Sequence, residues 1–132
     1  MCANREAKSP EHTRLVKALI DYIDRAGFEV TNAAYTGFPE CPQIEGRVPD
    51  VRGSNLQRLI VIGEAKTPDD LHNERTDDHF RLFSNLTVGG GISDGAPIPF
   101  YIATTKGCEN HVTATLTRLG IHEKTNVHVV GL

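Results

Sequence analysis

Apolar residues recur along this chain at two periods and in two continuous runs, and these predict its elements. Leu15, Val16, Leu19, Ile20 and Ile23 follow the 3.6-residue period of one helix face. Ser9-Pro10-Glu11 precedes them with an N-cap residue, a proline suited to the first turn and an acid at the positive end of the dipole. With Gly27 as the stop, the first helix is expected over about residues 10–26. Phe28–Tyr35 reads as a strand, and Pro39, Pro42 and Gly46 mark a loop. Arg47–Arg52 reads as a short strand with an edge-favouring proline, Gly53-Ser54-Asn55 as a turn, and Leu59–Lys66 as the partner of an antiparallel hairpin. The continuous run Leu59-Ile60-Val61-Ile62 predicts burial on both faces.

Thr67-Pro68-Asp69-Asp70 predicts a second helix start, with Thr67 as N-cap of a helix over about residues 68–86 carrying Leu71, Phe80, Leu82, Phe83 and Leu86. Gly89–Gly91 and Asp94–Pro97 predict a flexible loop. Phe100–Thr105 reads as a buried strand, residues 109–119 as a helix with Val112, Leu116 and Leu119 on one face, and residues 126–130 as a last strand. The order α-β-β-β-α-β-α-β makes one α/β domain, a mixed β-sheet flanked by helices. The first eight residues read as a frayed leader and residues 9–132 as the domain.

Composition narrows the class. A chain of 132 residues with 39% apolar content supports one real core and one domain. No apolar run reaches the ~20 residues needed to cross a bilayer, and the polar start lacks a secretory h-region. The expectation is an intracellular, cytoplasmic protein without a membrane partner. Cys2, Cys41 and Cys108 are odd in number and widely spaced, which predicts reduced thiols rather than a disulfide framework or zinc ligands. The net charge of −3 argues against tight non-specific binding to a phosphate backbone, although one bound divalent cation brings it to −1.

Candidate chemistry sits at the end of the buried run. Glu64 and Lys66 alternate with Ile60 and Ile62, so all four share one face of the strand. Charge at the end of an apolar face needs a partner. Asp50, on the neighbouring strand, brings a second carboxylate within reach of one cation. Glu11, at the inward-facing start of the first helix, is a candidate third. Carboxylates without clustered cysteine or histidine favour a hard cation, Mg2+ or Mn2+. Such an ion binds a phosphate oxygen and acidifies water, and a lysine beside it orients that water or offsets developing charge. The plain alternative is an ion pair of Lys66 with Asp50 or Glu64 at the rim of an ordinary sheet.

Pro49-Asp50, thirteen intervening residues, and Glu64-Ala65-Lys66 resemble the signature of the PD-(D/E)XK, restriction-endonuclease-like nuclease superfamily. The order of elements resembles it too, over about Ser9 to Val130. In size and layout the chain is most similar to small Holliday-junction-resolvase-like members. The resemblance implies a Mg2+-dependent endonuclease acting on DNA, branched or structured DNA included, with Mn2+ able to substitute. Asp50, Glu64 and Lys66 are then catalytic, and Asp50, Glu64, the Ala65 carbonyl and a helix-1 glutamate (Glu11) are metal ligands. Cutting two strands with so small a domain implies a homodimer. The alternative on the same fold is a non-catalytic module that binds nucleic acid or protein.

Phosphate contacts are sought among the bases nearby. His72, Arg75 and His79 share a face of the second helix, either a phosphate-contacting face or a solvated one. Arg52 shares a face with Asp50, and Lys106 follows the strand at 100–105. Arg52, Arg75, His79 and Lys106 are the candidate nucleic-acid contacts. The triple glycine is no phosphate cradle, because no Gly-Lys-Ser/Thr follows it.

Overall fold

The computed structural model describes residues 8–89 and 94–132. Its elements are α1 (Lys8–Arg25), β1 (Glu29–Ala33), β2 (Val51–Ser54), β3 (Ile60–Ala65), a 3-10 turn (Pro68–Asp70), α2 (Glu74–Ser84), β4 (Phe100–Thr104), α3 (Glu109–Leu119) and β5 (Val127–Gly131). The expected order α-β-β-β-α-β-α-β is therefore the observed one. The five strands form one mixed sheet in chain order. The contacts of β1 with β2 and β2 with β3 are antiparallel, and those of β3 with β4 and β4 with β5 are parallel.

The central strand explains the layering. On one face of β3, Val61 and Ala65 are buried against Leu15, Val16, Leu19 and Ile23 of α1. On the other, Ile62 joins a second core with Leu71, Phe80, Phe83, Ile102, Val112 and Leu116 from α2, α3 and their neighbours. Phe100 anchors that second core, with Phe80 and Phe83 edge-on to it at ring-centroid distances of 6.0 and 5.6 Å. The continuous apolar run thus serves two helix layers, as burial on both faces requires.

Gly63 sits between these layers where α1 comes closest. A Cβ there would lie 2.9 Å from Leu19 Cδ2 and 3.2 Å from Ile23 Cδ1. Gly53 is tighter still against β1, where a Cβ would fall 2.7 Å from the Glu29 carbonyl oxygen. This corrects the turn expected at Gly53-Ser54-Asn55. Gly53 and Ser54 continue β2, and its glycine answers to the close approach of β1. The chain reverses at Asn55–Leu59, where the Asn55 side-chain oxygen accepts hydrogen bonds from the Gln57 and Leu59 N–H groups. Upstream, Arg47 does not enter the sheet. It pairs with Ile44 across a tight turn, and β2 starts only at Val51, one residue after Asp50.

The expected helix over 68–86 is two pieces. Thr67 makes no capping bond, and Pro68–Asp70 gives a single 3-10 turn. The helix restarts at Glu74, where the Asn73 side chain accepts from the Thr76 N–H at 2.8 Å. The restart buries Thr76, His79, Phe80 and Phe83 at i, i+3, i+4 and i+7. At the N-terminus, α1 already includes Lys8, so it starts before the serine expected to cap it. The rest of the expected leader, Cys2, and Gly90 and Gly91 of the glycine loop lie outside the described residues. Cys41 is a free, buried thiol, pushed up to about 12 mainly by burial. Cys108 is disulfide-bonded, which corrects the expectation of reduced thiols at that position. No helix among the described residues is long and apolar enough to cross a membrane.

The contact under α1 is testable. Gly63→Val overfills the space below Leu19 and Ile23 and should lower stability by about 1–3 kcal/mol in urea unfolding. Unchanged stability would contradict the close packing of α1 on β3.

Candidate active site

The register of the hairpin brings the acids together. Val51 lies opposite Gly63, so Asp50 arrives opposite Glu64 at the C-terminal end of β3. The two are then braced across the strands. The Asp50 N–H donates to the Gly63 carbonyl at 3.1 Å and to Glu64 Oε1 at 3.1 Å. In return, the Ala65 N–H donates to Asp50 Oδ2 at 2.9 Å. Each carboxylate is held by a backbone group of the other's strand, so neither depends on a flexible partner for its position.

Glu64 is 2% exposed. Its Oε2 takes the Nδ1–H of His79 at 3.0 Å and lies 3.8 Å from Lys66 Nζ. His79 is itself buried, its ring edge-on to Phe83 at 5.3 Å. Burial raises the Glu64 pKa above the ordinary range, and the neighbouring Asp50 charge raises it further. The His79 hydrogen bond and the Lys66 charge oppose both without cancelling them. On the other side, His12 Nε2 of α1 lies 3.2 Å from Asp50 Oδ2. That hydrogen bond raises the imidazole pKa against the opposing effect of burial. The six side chains His12, Asp50, Glu64, Lys66, Arg75 and His79 line one cavity of about 210 Å3. It opens beyond the carboxyl ends of the parallel strands, where open α/β sheets bind ligands.

Glu11 does not join this group. Arg14 grips it with two hydrogen bonds of 2.8 and 2.7 Å, and the Thr105 hydroxyl donates a third at 2.7 Å. The Arg14 bonds hold its carboxyl well below the usual range, at about 2. Glu11 thus ties α1 to the end of β4, and His12, one residue on, reaches Asp50. His12 continues the stripe of Val16, Leu19 and Ile23 at i, i+4, i+7 and i+11. That spacing was the signal that could have singled it out.

The other expected contacts divide. Arg75 is exposed at the cavity rim. His79 lies in the cavity as the partner of Glu64 and not on the surface. Arg52 lies opposite Ile62, outside the cavity wall, with its charge felt at Cys41. Lys106 is exposed in the turn after β4, also outside it. Ala65 ends β3 with its N–H on Asp50 and its side chain in the core under α1. Asp70, which in the sequence stands out only as an acid at a helix start, lines the cavity as well.

The donor set fits a hard cation of low protein coordination. Among the described residues no three His, Cys, Asp or Glu side chains form a metal-binding group; of the three carboxylates that line the cavity, Asp50 and Glu64 are the two braced against each other. Mg2+ is commonly held by one or two carboxylates, with water and substrate phosphate completing its shell. Compared with known proteins, the chain matches no family model, no curated sequence and no solved structure.

Glu64 makes the electrostatics measurable. Its folded pKa lies above the ordinary 4.5, so between the two values the folded protein keeps a proton that the unfolded chain has released. Cation-free stability must therefore fall as pH rises from the ordinary value through the folded one. Glu64→Gln removes this dependence. At neutral pH and without divalent cations it should melt above the wild type. The gap should close toward mildly acidic pH in differential scanning fluorimetry. A variant that melts below the wild type by the same margin at every pH would contradict the buried-charge reading.

Proposed function

We propose that this chain is a Mg2+-dependent endonuclease that hydrolyses phosphodiester bonds in DNA, on a restriction-endonuclease-like arrangement of strands. One observation carries the reading: Asp50 and Glu64 are fixed opposite each other by reciprocal backbone hydrogen bonds, with Lys66 beside the buried carboxylate. A buried acid facing a second acid favours a cation between them over a plain ion pair.

Each residue has a distinct task. Asp50 and Glu64 would hold the cation through oxygens whose orientation the backbone already sets. His79 orients Glu64 from below, as hydrogen-bonded partners of ligating carboxylates do. When bound, the cation supplies Lewis acidity and a more acidic water. Lys66 brings an ammonium group that can orient that water or stabilise charge on the phosphoryl oxygens. Arg75 stands at the rim, where a flanking phosphate would pass. The overall charge of −3 leaves little for sequence-independent backbone binding, so affinity would rest on these local groups. Two copies, one per strand, would make a double-strand cut, which is why a homodimer belongs to the proposal.

Lys66→Ala tests the chemistry. It should abolish Mg2+-dependent cleavage, a loss of at least about 100-fold for a transition-state donor, while its circular dichroism and melting remain those of a folded domain. Glu11→Gln, outside the cavity, should retain cleavage. Full activity in Lys66→Ala would sink the assignment. A wild type that cuts no DNA in Mg2+ or Mn2+ would favour the binding module instead.

A further inference from the structure

A second groove, of about 520 Å3, adjoins the carboxylate cavity and shares Val48, Asp50 and Arg75 with it. Tyr35 and Phe38, half-buried and packed against the α1-side core, line it together with Cys41 and give one wall an aromatic and apolar character. Apart from Ala33 of β1 and Arg75 of α2, its lining comes from residues 34–50, the connection from β1 to β2, which is longer than a hairpin needs. Long connections of this kind in compact domains are usually functional. This one is tied down. The Ala33 N–H donates to the Pro39 carbonyl at 3.0 Å, the Asn32 side-chain amide to the Glu40 carbonyl at 3.0 Å, and the Ala34 N–H to the Asp50 carbonyl at 2.8 Å. The last of these joins the groove floor to a carboxylate residue of the candidate active site. Its volume is that of a small-ligand pocket.

We infer that this groove receives the unstacked base of the nucleotide next to the scissile phosphate, so that the substrate is a nucleic acid unpaired at the cut. The inference rests on the proposed nuclease reading and deepens it. A phosphate at Asp50 and Glu64 places the adjoining nucleoside against Val48 and the Tyr35–Phe38 wall, with Arg75 between the two cavities to meet the backbone. A base inside a duplex has both faces covered by its neighbours and offers none to an aromatic wall. A base in a single strand, a flap or a junction arm is free to stack there. The groove thus selects for an unpaired nucleotide.

The test compares one labelled DNA strand in three forms with Mg2+: alone, in a blunt duplex, and as the unpaired flap of a branched duplex. The single strand and the flap should be cut and the blunt duplex spared. Tyr35→Ala and Phe38→Ala should raise KM by about 5- to 150-fold, the worth of one base stacked on an aromatic ring, with a far smaller change in kcat. An abasic nucleotide beside the cut should do the same to the wild type, and the variants should lose little more on that substrate. The abasic arm needs no variant to fold. Equal cutting of the blunt duplex, or a wild type indifferent to the abasic nucleotide, overturns the inference while leaving the nuclease reading intact. If no form is cut, the nuclease reading fails. Fluorescence anisotropy of the labelled single strand with Ca2+ then decides the groove alone: binding weakened by Phe38→Ala supports it, and binding unchanged overturns it.

Discussion

Burying one carboxylate opposite another is the constraint around which the rest of this molecule is arranged. Glu64 has almost no contact with solvent, and Asp50 faces it across the hairpin. An ionised group in such a place is expensive unless hydrogen bonds and opposite charge surround it. The surroundings supply both. One Glu64 oxygen takes the Asp50 N–H, the other takes His79 and lies near Lys66. Under the proposed function, the remaining repulsion between the acids is what a divalent cation would relieve, and keeping such tension in the cation-free state would trade stability for function.

The scaffold makes this placement rigid. β3 is clamped between α1, which descends onto Gly63, and the Phe80–Phe83–Phe100 cluster beneath Ile62. The side chains of Glu64 and Lys66 project where the apolar face of β3 runs out and the cavity opens. α1 reaches the same end of the sheet and contributes His12 to Asp50, while Glu11 and Arg14 pin its first turn to Thr105. Helix, hairpin and α2 thus converge on one point from different layers. Displacing any of them would release a partner of one of the two acids.

The fold was readable in the sequence because its periods are strong. The α1 stripe, the run at 59–62 and the helix at 109–119 each bury a face that leaves no other choice. Asp50, Glu64 and Lys66 were readable for a related reason, since strand alternation fixes which side chains share a face. What escaped depended on tertiary fit. Gly53 looks like a turn residue until β1 is seen pressing on it. Thr67 looks like the better cap until Asn73 restarts the helix and turns His79 inward. Glu11 and His12 are adjacent on α1, about 100° apart around its axis. The docking of α1 on the sheet, absent from the periodicity, decides which of them meets Asp50. Arg52 and Lys106 show the same limit: sharing a face or an end with the acids did not bring them to the cavity.

The proposed cation site would require both acids at once and no substrate. Isothermal titration calorimetry with Mn2+ on the wild type and on Asp50→Ala tests it directly. Two carboxylates acting as one site predict saturable binding to the wild type that is lost in Asp50→Ala. Absent binding to the wild type, or binding indifferent to the substitution, would contradict a cation site and leave Glu64 as the buried partner of Lys66 and His79.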